Sequence, residues 1–244
     1  MIAREELMFE TKIEAAEKLA EILPANAVKN ENFLIIAQSL SSIYLVKRLS
    51  EILNLNYEFL FSEAIFAPNN PECVVACVSE TQEIVLVDEL IKSFEISEDY
   101  IYGQANRKYE EKILKNVYKF RKGALLPDLA RKNIILVDEG CESGLTTLTC
   151  IKTLVKLNAK TILYATPIIS TDVAGEIELM VDGLYAVHKI RDFVDVDFYY
   201  KEKKEENADE IMEILNDCKF YLPFHKEKNI DKNENKEKEN AVQD

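Results

Sequence analysis

Short, uninterrupted apolar runs constrain the fold of this chain more than any other feature in it. Phe33–Ala37 (FLIIA), Asn133–Asp138 (NIILVD), Thr161–Thr166 (TILYAT) and Gly183–Val187 (GLYAV) lack the polar–apolar alternation of a half-solvated strand. A strand that is apolar on both faces is buried on both, as in a parallel sheet covered by helices. Between the runs, apolar residues return at spacings of three and four. Phe9, Ile13, Ala16, Ala20 and Leu23 make one such stripe, stopped by Pro24, and Ile43, Val46, Leu49 and Leu53 make another. Strands alternating with helices predict an α/β fold with a doubly wound parallel sheet.

Other segments depart from that pattern. Tyr57–Phe61 reads as a further strand. After the turn-rich Ala67–Glu72, the runs Cys73–Val78 and Glu83–Val87 flank a polar tetrapeptide and predict a small antiparallel hairpin, a hood added to the main sheet. Ser97 is placed to cap a long helix whose stripe is Ala105, Tyr109, Ile113, Val117 and Phe120, with Gly123 and Pro127 ending it. Ala208, Ile211, Ile214 and Leu215 predict a last helix. From Pro223 to Asp244 the chain is dense in Lys, Glu and Asn and nearly free of large apolar residues. Such a segment cannot offset its ordering entropy by burial, so the expectation is a folded domain over 1–222 and a disordered charged tail over 223–244.

Charge and cysteine usage narrow the function. The formal net charge is −14, which argues against nucleic acid as a partner and gives no help in docking on anionic lipid. No apolar run is long enough to span a membrane, and the N-terminus lacks the pattern of a signal peptide. Five cysteines, none in C-x-x-C spacing, suggest reduced thiols in the cytoplasm rather than disulfides or a metal site. Neither G-x-G-x-x-G nor G-x-x-x-x-G-K-[ST] occurs.

The chemistry is concentrated after the cleanest strand. Ile134–Val137 run into Asp138 and Glu139, then a short loop, then a helix beginning near Gly144. Ligands of open α/β sheets sit outside the carboxyl ends of strands. A helix start offers unpaired N–H groups and a favourable dipole to an anion, and Gly144 lets a ligand approach the backbone. Ser143, Thr146 and Thr147 add hydroxyls. Two acids beside an anion cradle suit a sugar phosphate. Plainer roles stand beside these: Asp138 and Glu139 as exposed strand-end acids, Ser143 as a helix cap, Glu142 as a solvated acid, and Cys141 as a packing thiol.

The stretch V-D-E-G-C-E-S-G-L-T, Val137 to Thr146, resembles the ribose-phosphate motif of the type I phosphoribosyltransferases, with Ser143 where that family has Thr. The predicted stand-alone bacterial members resemble it further. Their proline-rich turn is similar to Ala67–Glu72, their Pro-Asp-Leu lead-in to Pro127–Leu129, and their aromatic tail to Phe193, Val196, Phe198, Tyr199 and Tyr200. The resemblance implies transfer of ribose 5-phosphate from phosphoribosyl pyrophosphate (PRPP), with magnesium travelling with the diphosphate. It implies that Asp138 and Glu139 hold the ribose hydroxyls. It implies that Cys141, Glu142, Ser143, Gly144, Leu145, Thr146 and Thr147 surround the 5′-phosphate, and that Glu142 faces the base and assists proton transfer. A homo-oligomer is compatible with it.

The sequence also departs from that family. Its diphosphate loop reads Pro-Arg-Gly-Gly, whereas this chain has Ser39, Leu40, Ser41 and Ser42. An Arg-Lys pair is replaced by Glu63 and Ala64. Each charge-assisted bond lost is worth about 1.5–3 kcal/mol. If the diphosphate is held at all, cations must come from elsewhere, such as Arg107, Lys108 or a neighbouring subunit. The sequence therefore supports a ribose-phosphate-binding transferase or, alternatively, a non-catalytic nucleotide-binding regulatory or scaffold protein.

Overall fold

The computed structural model describes residues 7–203 and 207–224. In chain order the elements are α1 (Lys12–Ile22), α2 (Ala25–Asn30), β1 (Leu34–Ala37), α3 (Ile43–Leu53), β2 (Tyr57–Phe59), β3 (Ser62–Ala67), β4 (Asn70–Ser79) and β5 (Ile84–Leu86). They continue with α4 (Asp88–Ser93), α5 (Glu98–Lys108), α6 (Leu114–Arg121), β6 (Asn133–Val137), α7 (Leu145–Lys156), β7 (Thr161–Ser170), α8 (Thr171–Glu178), β8 (Gly183–Ile190) and α9 (Ala208–Asp217). A single π-turn, Tyr109–Ile113, joins α5 to α6 in one continuous helix. No helix among the described residues is long and apolar enough to cross a membrane.

The main sheet has five strands, all parallel, in the order β2-β1-β6-β7-β8. Its alternate residues enter two separate cores, as the two-residue period of a strand requires. Ile35, Ala37, Ile135, Val137 and Ala165 pack towards α1 and α3. Leu34, Ile36, Ile134, Leu136, Ile162 and Tyr164 pack towards α7 and α8. This is the helix-covered parallel sheet expected from the apolar runs. Pro167 lies inside β7, beyond Ala165, where the pairing of β6 with β7 has stopped, and the register with β8 skips it, passing from Thr166 to Ile168.

The hairpin of β4 and β5 is present and antiparallel, but it belongs to a three-stranded sheet, β3-β4-β5. The sequence reading missed β3. Tyr57–Phe61 reads as one run, yet the chain leaves the main sheet after Phe59 and enters the small one at Ser62. Pro68 and Asn69, the latter at φ +63°, turn β3 into β4. The first helix also differs. Ala15, Ala16 and Leu19 are its buried residues, while Ile13 is 44% exposed. Phe9 precedes the helix and pairs with Tyr200 instead. The other stripes hold: Ile43, Val46, Leu49 and Leu53 are buried, as are Ala105, Ile113, Val117 and Phe120. The Ser97 side chain accepts from the backbone N–H of Tyr100, which caps α5. The chain packs as far as Phe224, whose ring stands edge-on to Tyr221; residues 225–244 of the expected tail lie outside the described residues.

Candidate functional site

Strands β1 and β6 are neighbours and point the same way, so the loops that follow them, Gln38–Ser42 and Asp138–Gly144, meet at one end of the sheet. Asp138 is the hub. Its Oδ1 accepts from the Ser39 hydroxyl at 2.6 Å and its Oδ2 from Gln38 Nε2 at 2.7 Å. Gln38 Nε2 also donates to Thr147 Oγ1 at 2.9 Å. Burial first, and the neighbouring Glu139 second, push the Asp138 carboxyl up to about 6, against the pull of the Ser39 and Gln38 hydrogen bonds.

Glu139 faces the other way. Its Oε2 lies 2.8 Å from Lys12 Nζ, and its backbone carbonyl accepts from the Tyr200 hydroxyl at 2.6 Å. The same Lys12 ammonium donates to the Ser41 carbonyl at 2.9 Å. One cation thus joins the second acid of the motif to the loop after β1. Ser42 Oγ turns inward to donate to the Ser39 carbonyl at 2.7 Å, Leu40 is partly buried, and Ser41 is exposed. Of the three serines in this loop, Ser42 has spent its hydroxyl inside it and Ser39 on Asp138 of the neighbouring loop.

The loop after β6 is held by its backbone. Cys141 N donates to the Ile168 carbonyl and Ser170 N to the Cys141 carbonyl, both at 3.0 Å. The Cys141 thiol is buried and its pKa pushed up by that burial, which fits the packing role. Gly144, at φ +74°, is the N-cap of α7; a Cβ there would stand 2.7 Å from Val173 Cγ1. Ser143 is therefore not the cap that the sequence suggested. It is exposed, as is Glu142. Thr147 differs from Ser143 in being buried: its hydroxyl accepts from Gln38 and lies 3.5 Å from Cys141 Sγ and 3.4 Å from the Tyr164 hydroxyl, towards the interior of the sheet. Leu145 and Thr146 are partly exposed at the start of α7, where the first N–H groups of the helix lack intrahelical partners.

Clefts open on both sides of this junction. One, of about 640 Å³, lies between the small sheet and the α7 start and is lined by Glu72, Glu142, Ser143, Gly144 and Glu176 among apolar residues. No Lys, Arg or His among the described residues lines it. The other, of about 550 Å³, is lined by Lys12, Leu40, Ser41, Glu139, Tyr200 and Lys203, with further residues of the C-terminal segment.

Lys12, Gln38 and Tyr200 are the site residues that sequence reasoning missed. Lys12 belongs to no motif, and its position follows only from how α1 crosses the sheet. Gln38 was in principle accessible, since it is the first residue after a buried strand. Tyr200 reads in the sequence only as part of an aromatic cluster. The candidate cations Arg107 and Lys108 pair elsewhere, with Glu111 at 3.1 Å and with Glu63 at 3.8 Å. Magnesium does not fit these residues well. Both Asp138 oxygens already take a donor, Glu139 faces an ammonium, and no group of three or more metal-ligating side chains occurs among the described residues.

No family model and no curated protein matches this sequence. Solved structures do. TT1426 from Thermus thermophilus superposes with a TM-score of 0.70 at 19% identity, over 86% of this chain and 99% of that one. A hypoxanthine-guanine phosphoribosyltransferase from Bacillus anthracis gives a TM-score of 0.44 at 15% identity, over 80% and 93% of the two chains. A purine phosphoribosyltransferase from Pyrococcus horikoshii gives 0.40 at 14%, over 79% and 89%. The chain thus shares the fold of TT1426, a helix-flanked parallel α/β sheet with a small antiparallel addition.

Proposed function

We propose that this chain binds the ribose 5-phosphate part of a nucleotide or of PRPP where the loops after β1 and β6 meet, and that it is a binding protein rather than an active transferase. The phosphate would lie at the start of α7, against the backbone from Glu142 to Thr146 and the Ser143 hydroxyl. Glu139 would be the first acid to meet the ribose hydroxyls, because both Asp138 oxygens already hold a donor. The observation that carries the binder reading is the Ser39–Asp138 hydrogen bond of 2.6 Å. It closes the loop that a transferase would need to open around a diphosphate.

Transfer of the phosphoribosyl group is the second reading, and Lys12 favours it. Its ammonium lies at the Ser41 carbonyl, where a diphosphate would need positive charge. In that reading Glu142 would act on the incoming base, a bond would form from the base to ribose C1, and the bond from C1 to the diphosphate oxygen would break. No magnesium-dependent step is assigned. Calorimetry with magnesium PRPP, pyrophosphate, ribose 5-phosphate and nucleoside monophosphates tests both. Ribose 5-phosphate or a monophosphate binding at least as tightly as PRPP, with no turnover on adding a base, is the expected result. PRPP tenfold or more tighter, with pyrophosphate released when a base is added, would establish the transferase. Silence with every ligand would remove ribose phosphate from the site.

A further inference from the structure

Helices α7 and α8 follow neighbouring parallel strands on one face of the main sheet, so they lie side by side and run the same way. A Cβ on Gly144 would touch Val173, which places their first turns together. The larger cleft, at the α7 start, is one end of a groove that continues along both helices. A further cleft of about 600 Å³ opens at their other end, and its lining includes Ile151, Lys152, Val155, Leu179 and Met180. Met180 lines both clefts, so the two are continuous.

The groove exposes apolar side chains that the chain itself does not cover. Leu179 is 87% exposed and Val155 59%. Leu179 stands out of the surface, and beside it lies the apolar hollow of Leu86, Leu148 and Ile177. Apolar surface rimmed by charge marks an interaction site. The charge here is divided along the groove. Glu72, Glu142 and Glu176 line the cleft at the α7 start, and Lys152 and Lys156 line the other. Lys156 is held by Glu83 at 2.8 Å, whereas neither Glu176 nor Lys152 has an ion-pair partner among the described residues.

We infer that this groove is the contact surface between two copies of the chain, packed about a two-fold axis near Met180 with their grooves antiparallel. A two-fold interface must complement itself, and this one does so in shape and in charge. Leu179 of each copy enters the apolar hollow of the other. The rotation carries the acidic end of one groove onto the basic end of the other, so Glu176 of each copy meets Lys152 of the other. A basic partner would leave Lys152 unmatched, and an acidic partner would leave Glu176 unmatched. The contact needs no bound nucleotide and stands independently of the ribose-phosphate reading.

Sedimentation of the full chain without ligand, at about 1–100 µM, tests it. The wild type is expected to form a concentration-dependent dimer. Leu179→Asp, a change at an exposed position, should weaken association by about tenfold or more with an unchanged circular dichroism spectrum. Lys152→Glu and Glu176→Lys should each weaken self-association as well, because like charges then meet twice across the axis. Mixing those two variants in equal amounts should restore the dimer, since in a mixed pair both contacts carry opposite charges again. A wild type that stays monomeric over the whole range, a dimer indifferent to Leu179→Asp, or no recovery on mixing would overturn the inference. If Leu179→Asp does not fold, the mixing experiment decides.

Discussion

Ser39 and Asp138 stand 99 residues apart in the chain and 2.6 Å apart in the fold, hydroxyl against carboxylate. The contact changes what the acid pair after β6 means. Asp138 is an internal strut that ties the two loops together, with Gln38 on its other oxygen. Glu139 is the acid turned towards a cleft, and it is held by Lys12. The two acids are adjacent in sequence and differ in duty because successive residues leave a strand on opposite sides.

Replacing Asp138 with Asn should stabilise the protein at pH 8. The wild-type carboxyl titrates near 6 in the fold and in the ordinary carboxylate range when unfolded, so the folded state binds the extra proton and loses stability as pH rises between those values. The amide removes that loss. Gln38 can rotate its own amide to accept from the introduced one, which also gives its Oε1, unpartnered at present, a donor. Urea titrations should show a gain of about 1–3 kcal/mol at pH 8 that shrinks towards pH 4. A loss of stability at pH 8 would mean that the ionised strut is worth more than its burial costs.

Lys12→Met separates the ends of the ligand. The ammonium donates to the Ser41 carbonyl, on the side that the proposed binding mode gives to the diphosphate. Affinity for PRPP and for pyrophosphate should drop about tenfold or more, as for one charge-assisted contact, while ribose 5-phosphate binding holds or improves because Glu139 is released. An equal loss for all three ligands would place Lys12 in structural support instead.

Gly144→Ala tests the loop's conformation. The left-handed backbone and the 2.7 Å approach of Val173 Cγ1 both oppose a Cβ. The expected cost is about 1–3 kcal/mol in a denaturation curve. Adding Val173→Ala should relieve the steric part and leave the backbone part. A neutral single substitution would show that the loop does not adopt this turn.

Truncation sets the domain boundary. The Phe224 ring lies 5.0 Å from that of Tyr221 and 5.2 Å from Lys122 Nζ. A chain ending after Phe224 should keep its stability within about 0.5 kcal/mol, since what is removed has almost no apolar content. One ending after Leu222 should lose about 0.5–1.5 kcal/mol more, the worth of an aromatic pair. A loss of several kcal/mol on removing only 225–244 would show that those residues dock.

The sequence disclosed what depends on local pattern. The runs around Ile35, Ile135 and Leu163 named the parallel strands, because burial on both faces leaves no other composition open to them. Gly144 and the acids before it marked the loop. What stayed hidden depends on tertiary geometry. Ile13 has the spacing of a core residue but is exposed, since Ala15, Ala16 and Leu19 let α1 lie close to the sheet on their side. Thr147 has the right offset for a phosphate contact, yet the helix start turns its hydroxyl inward to Gln38. Lys12 lies far in sequence from the acid it pairs with and carries no motif. Strand β3 escaped because Phe59, Leu60 and Phe61 read as one apolar run while the chain is changing sheets beneath them.

The pairing of Leu34–Ala37 with Ile134–Val137 has a consequence for how the protein is made. Strand β1 reaches the ribosome exit long before its partner β6, and the whole small sheet with α4, α5 and α6 must be synthesised in between. At about 5–20 residues per second, one edge of FLIIA waits for several seconds without its native neighbour. During that interval it is a short, flat, apolar template that any other nascent copy could pair with. Yield in a cell should therefore respond more to translation speed and chaperone supply across that stretch than to changes in the stability of the finished fold.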